Sequence, residues 1–168
     1  MNSQEVLDFW FQETDPTSWF RNDGELDRQI KERFGALHTQ ATKGELWQWR
    51  DTIQGRLAEI IILDQFSRNL YRNQPGAFAF DGMALILAQE ALRTEDQHLL
   101  TTVERAFLYV PFMHAESRAM HEIAMELFQE EGMEENLKFE IEHRDIIERF
   151  GRYPHRNAAL NRESTIEE

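Results

Sequence analysis

The chain has 168 residues, 41% of them hydrophobic, with 12 Phe and 4 Trp, which is the size of one domain and enough apolar material for a core. A net charge of −13 sets up a field that repels polyanions and argues against extended nucleic acid, although a local basic patch is compatible with a small anion. The absence of cysteine removes disulfides, thiolate metal sites and cysteine nucleophiles.

The opening Met1-Asn2-Ser3-Gln4-Glu5 lacks the basic-then-apolar order of a signal peptide. Val6, Leu7, Trp10 and Phe11 then predict a first short helix with Ser3 as its N-cap. Residues 12–22 read as a loop broken at Asp15-Pro16 and anchored by Trp19 and Phe20. Leu26, Ile30, Phe34, Leu37 and Ala41 recur at three or four residues and predict a long second helix closed by Lys43-Gly44. Leu46, Trp47 and Trp49 predict a further helical turn.

The segment from Asp51 to Leu70 predicts the central helix, apolar almost all round between Ile60 and Leu63 and therefore buried. Pro75-Gly76 ends that unit, and Leu85, Ala88, Ala91 and Leu92 mark the helix after Asp81. Thr101 with Glu104 forms a capping box for a helix expected to stop or kink near Pro111. Ala119, Ile123, Leu127 and Phe128 give the next helix, ended by Gly132; Leu137 to Phe150 gives another, ended by Gly151. No segment alternates like a strand, no fixed-period repeat is present, and no apolar run approaches the roughly 18 residues of a membrane span. The expected architecture is one all-α domain over residues 1–168, an antiparallel helix-hairpin array of about seven to nine helices. A cytoplasmic location without a membrane partner is the matching expectation.

Four stretches resemble the bacterial domain-of-unknown-function 924 family over essentially the whole chain. They are Val6-Leu7-Asp8-Phe9-Trp10-Phe11; Gly55-Arg56-Leu57-Ala58 running into Leu63-Asp64-Gln65-Phe66-Ser67-Arg68-Asn69-Leu70-Tyr71-Arg72; Pro111-Phe112-Met113-His114-Ala115-Glu116; and His143 through Asn157, closing with Arg162-Glu163-Ser164-Thr165. The resemblance implies a tetratricopeptide-like helical fold and no established activity. Ile53 and Ser67 stand where the family usually has proline, and members usually continue past Glu168, so the chain is either truncated by a short C-terminal segment or naturally short. Ser164 with Glu167 reads as a capping box at the start of a helix.

Several polar residues fall in apolar places. Asp64 continues the Ile53, Leu57, Ile60 and Ile61 face, and Arg68 is spaced one turn on to meet it. A buried carboxylate must be paired, so Asp64 is either half of a structural ion pair or an acid in a cleft, with Asn69 and Arg72 lining the same end. His143 shares a stripe with Phe139, Ile146 and Phe150, the position of a hydrogen-bonded core histidine or of a catalytic one. His114 and Glu116 follow Pro111 at a helix junction and point in different directions if the backbone there is regular. Arg152, His155, Arg156 and Asn157 lie in a stretch that cannot be helix, either clamping helix C-termini or holding an anion.

Sharper motifs fail. Glu95 to His98 and Glu140 to His143 have the Glu-x-x-His spacing of di-iron bundles, but the further glutamates such a site needs have no support beyond the abundance of Glu. No phosphate-binding glycine loop, nucleophile elbow or HExxH sequence occurs, so no metal and no cofactor are expected. Trp47, Trp49, Phe78 and Phe80 are expected to pack helices. Three functions remain. In a binding module, Arg68, Arg72, Arg152 and Arg156 converge on one cavity for an anionic small molecule or a peptide carboxylate. In an enzyme, Asp64 with His114 or His143 performs acid–base chemistry on an anionic substrate, with Glu116 a further candidate. In a structural scaffold, every polar group is paired internally.

Overall fold

The computed structural model describes residues 1–168, and every regular element in it is helical. Helix α1 (Ser3–Asp8) runs into a π-helical turn, Phe9–Glu13. Its N-cap is Asn2, whose side chain accepts from the Glu5 N–H, one residue earlier than the expected Ser3. A 3-10 turn, Pro16–Ser18, occupies the expected loop. Asp23 then caps α2 (Gly24–Thr42) through the Glu25 and Leu26 N–H groups.

The central helix is continuous but not uniform: α3 (Ile53–Ile60), a π-helical segment Ile61–Phe66, then α4 (Ser67–Leu70). All of Leu57 to Ser67 is buried, which explains the absence of a clean amphipathic period there. Helices α5 (Asp81–Arg93), α6 (Thr102–His114), α7 (Arg118–Leu127) and α8 (Glu134–Phe150) complete the set. Thr101 and Glu104 form the capping box at the start of α6. Gly151 ends α8 in the left-handed region, φ 73°.

Pro111 lies in the last turn of α6, which ends at His114, near the expected stop. One expectation about the C-terminal segment needs correcting. No helix begins at Ser164; its hydroxyl instead lies 3.2 Å from the Asn157 amide, and Glu168 folds back onto Arg152.

Packing is sequential in the second half, each of α5, α6, α7 and α8 lying on its neighbour in the chain. In the first half α1 lies on α3, while α2 lies on α4 and the π segment. The central helix is thereby enclosed from several sides. An aromatic cluster welds the two halves: Phe9 meets Phe34 at 4.9 Å, Trp10 meets Phe66 at 5.7 Å, and Phe107 of α6 meets Trp10 at 5.8 Å. Trp47, expected to pack helices, is instead 60% exposed.

Candidate functional site

Asp64 lies inside the π segment with its side chain almost wholly buried, on the side of the central helix that faces α6. The last residue of α6, His114, meets it there: Nδ1 is 2.7 Å from Asp64 Oδ1. The second carboxylate oxygen accepts from Gln65 Nε2 at 2.8 Å. Arg68 stands one turn on and donates to the Asp64 carbonyl at 2.8 Å, with a longer 3.4 Å contact to Oδ1. Its main carboxylate partner is Asp81, the first residue of α5, at 2.7 and 3.0 Å. The expected Asp64–Arg68 pair is thus the weaker edge of a triad in which the imidazole makes the short contact.

Burial pushes the Asp64 carboxyl up, but the Arg68 charge and the hydrogen bonds from His114 and Gln65 outweigh it and hold it below the usual carboxylate range. Burial, assisted by the Arg68 charge, pushes the His114 imidazole down, and Asp64 offsets this only in part. The resulting state is an ionised Asp64 beside a neutral His114, with Arg68 and the hydrogen bonds keeping the carboxylate charged. A carboxylate can only accept, so the imidazole proton sits on Nδ1 and Nε2 keeps its lone pair. That Nε2 makes no hydrogen bond within the protein, and the side chain is 15% exposed.

His114 lines three neighbouring cavities. The first, about 180 Å³, is walled by Arg21, Gln65, Arg68, Asn69 and Arg72 with Trp19 and Phe20. The second, about 280 Å³, is largely apolar: Phe20, Val110, Met113 and Phe139 line it with Asn136 and His143. The third, about 480 Å³, brings His114 together with Phe78, Asp81, Glu116, Ser117 and Arg156.

The remaining predicted residues divide around this centre. Arg72 is held by Asp27 at 2.7 and 2.9 Å, and Asn69 donates to the same carboxylate at 2.8 Å. Arg156 is buried between the Phe78 and Tyr153 rings, 4.5 and 4.6 Å from their centroids, and donates to the His114 carbonyl at 3.0 Å. It thereby satisfies a carbonyl at the C-terminus of α6 and fixes the backbone that carries the imidazole. Glu116 is bound by Arg162 at 2.9 and 3.1 Å and accepts from the Tyr153 N–H. Arg152 is tied to Glu168 at 2.7 and 2.9 Å, Asn157 bonds the same C-terminal segment, and His155 is exposed beside Tyr153. The four arginines therefore do not converge: Arg68 and Arg72 share one cavity, Arg156 lines another, and Arg152 lies at a third place.

His143 also departs from expectation. Phe139 is 45% exposed and His143 half-buried, because the buried positions of α8 are Glu140 and Ile147, with Leu137 partly buried beside them. The His143 Nδ1–H donates to the Phe139 carbonyl at 2.7 Å, leaving its Nε2 toward the apolar cavity or solvent. Glu140 faces away from His143 and pairs with His121.

The sequence matches the family of bacterial proteins of unknown function DUF924 over residues 6–168. The chain belongs to this family. A solved structure of a protein of unknown function from Agrobacterium tumefaciens is 39% identical with a TM-score of 0.92, the match covering 98% of this chain and 93% of that one. No curated protein matches the sequence. In this DUF924 member Ser67, at a position expected to be proline, uses its hydroxyl to meet His38 Nε2 at 2.8 Å.

Sequence reasoning missed Asp81, Arg21, Trp19, Phe20 and Arg162. Asp81 was visible only as the start of a helix, and Arg21, Trp19 and Phe20 lie in a loop whose direction periodicity cannot give. A signal existed for Arg162: it belongs to the stretch that carries the family resemblance.

Proposed function

We propose that the protein is an enzyme that moves protons at His114, with Asp64 orienting the imidazole and a small anionic substrate held by the adjacent guanidinium groups. The observation that carries this reading is the 2.7 Å contact between His114 Nδ1 and buried Asp64, which leaves Nε2 without a protein partner on a residue that lines three cavities. Arg68 reaches the Asp64 carboxylate only at 3.4 Å and spends its short bonds on Asp81, so the imidazole is the closer side-chain partner. The imidazole adds a second nitrogen whose lone pair serves no packing purpose. The scattered arginines weaken the alternative of a binding module built around one arginine-lined pocket.

Nε2 takes a proton from water or from a substrate O–H, N–H or C–H group, and the electron pair stays on the atom that loses it. The imidazolium so formed is compensated by Asp64, which stays ionised, and the proton is then passed on to the departing or rearranged group. Such assistance contributes roughly 100- to 10,000-fold in rate.

Nitrogen-15 NMR of the histidine rings tests the reading. His114 should be neutral and protonated on Nδ1 at pH 7. Asp64→Asn, able to present an amide N–H instead of an acceptor, should disturb that tautomer. A doubly protonated His114 at neutral pH, or one protonated on Nε2 alone, would sink the proposal. Any turnover found with small anionic substrates should fall by about two orders of magnitude or more in His114→Gln.

A further inference from the structure

The cavity beside Arg72 and the apolar cavity beside Phe139 share two walls, His114 and Phe20. Their chemistry is opposite. No carboxylate lines the first, although it carries three guanidinium groups. Those groups are not used up by their acidic partners. Asp27 engages Arg72 through Nε and Nη2, leaving Nη1; Asp64 and Asp81 engage Arg68 through Nη1 and Nη2, leaving Nε. Neither leftover group has a hydrogen-bond partner in the protein, and the Arg68 and Arg72 side chains are 20% and 30% exposed. Arg21, 61% exposed, has only Nη2 engaged. An oxyanion entering this space finds donors already oriented by the carboxylates behind them.

The second cavity offers Val110, Met113 and Phe139, and its polar groups are the amide of Asn136 and two imidazoles. Between the two lies Phe20, 65% exposed although it stacks on Phe107 at 5.8 Å with 10° between planes. A half-covered phenyl ring at the junction of a cationic and an apolar cavity is a surface for a ligand that spans both.

We infer that the ligand is a small amphiphilic oxyanion, with its carboxylate or phosphate head among Arg21, Arg68 and Arg72 and its apolar body across Phe20 against Phe139. This rests on the reading of His114 as the proton-transfer group, since that residue stands where head and body would join. Phe20 then determines specificity by the shape of body it admits.

Isothermal titration of the full chain with four probes tests this: inorganic phosphate, phenyl phosphate, phenylacetate and benzyl alcohol. Either aromatic anion should bind about tenfold or more tightly than both inorganic phosphate and benzyl alcohol, because only it fills both cavities. The order of phenyl phosphate and phenylacetate identifies the head group. Arg21→Gln, at an exposed position that the fold does not need, should weaken the aromatic anions and leave benzyl alcohol unchanged. Phe139→Ser should bring phenyl phosphate down to the level of inorganic phosphate. Aromatic anions that bind no better than the half-probes, or that ignore both substitutions, would overturn the inference. Probe binding together with a doubly protonated His114 would keep the inference and remove the catalytic reading; a neutral His114 with no probe affinity would do the reverse.

Discussion

His121 Nδ1 and Glu140 Oε1 meet at 2.6 Å between α7 and α8, with side chains 1% and 0% exposed. The other imidazole nitrogen lies 2.9 Å from the Ala115 carbonyl, which can only accept, so Nε2 carries a proton. The other oxygen of Glu140 has no hydrogen-bond partner. Truncating one member strands the other in the core. Glu140→Ala should therefore lower stability by about 3–5 kcal/mol, read as the urea midpoint. The double change His121→Leu with Glu140→Met should cost less than the sum of its two single changes, since it removes both buried polar groups together.

Two glycines should respond in opposite directions to alanine. A Cβ at Gly55 would fall 1.8 Å from the Trp49 carbonyl oxygen, where the 3-10 turn passes close over the start of α3. A backbone atom cannot give way cheaply, so Gly55→Ala should cost about 3 kcal/mol. A Cβ at Gly35, inside α2, would meet nothing within 4 Å. Gly35→Ala should add about 0.5–1 kcal/mol through helix propensity and a less flexible unfolded chain. Paired thermal melts decide both, and equal shifts would contradict the close approach at Gly55.

Local signals in the sequence were sufficient for the helices and for several of their ends: Thr101 with Glu104, and Gly151, act as their spacing implies. Asp64 stood out because a carboxylate on an apolar face needs a partner. Its partner could not be read the same way. Periodicity tells which face of a helix is buried but not which other helix covers it, and His114 is fifty residues away. The π segment adds to the difficulty, because a widened turn shifts every later residue round the axis relative to an α-helical projection. In α8 the error was one of rotation: the stripe through Phe139 and His143 is apolar enough to suggest burial, but Glu140 and Ile147 hold the inward positions. Glu140 would not have been chosen as a core residue without His121 in view.

Arg162 holds the C-terminal segment against the site. Its guanidinium bonds Glu116 twice, Asn157 Oδ1 at 3.0 Å and the Tyr153 carbonyl at 3.0 Å. Both Arg162 and Glu116 are about a quarter exposed, which weakens the pair relative to a dry one. Arg162→Ala should therefore release residues 157–168 locally, at a cost of about 1–2 kcal/mol, without global unfolding. Amide exchange in that segment should quicken by roughly tenfold while the core of α3 and α6 stays protected. Uniform acceleration across the chain would show that the segment is part of the global unit instead.

Acid should destabilise the fold in two separable stages. His38 is buried with Nε2 on Ser67, and burial lowers its pKa; the same force lowers His114. An imidazole whose native pKa is depressed stays neutral in the fold while the unfolded chain takes up its proton below about pH 6.5. Stability is therefore fully present above that pH and falls as pH drops through it, by up to about 1.4 kcal/mol per unit for each such group. Asp64 is depressed from the ordinary carboxylate value, so its contribution is complete above about pH 4 and disappears only as pH falls toward its native pKa. Urea midpoints at pH 7.5, 6 and 5 should already decline, before carboxylates titrate. His114→Gln should flatten that first stage, while Asp64→Asn should blunt the second. A midpoint constant from pH 7.5 to 5 would mean that His114 is not held neutral, and Nε2 would lose the lone pair on which its proposed chemistry depends.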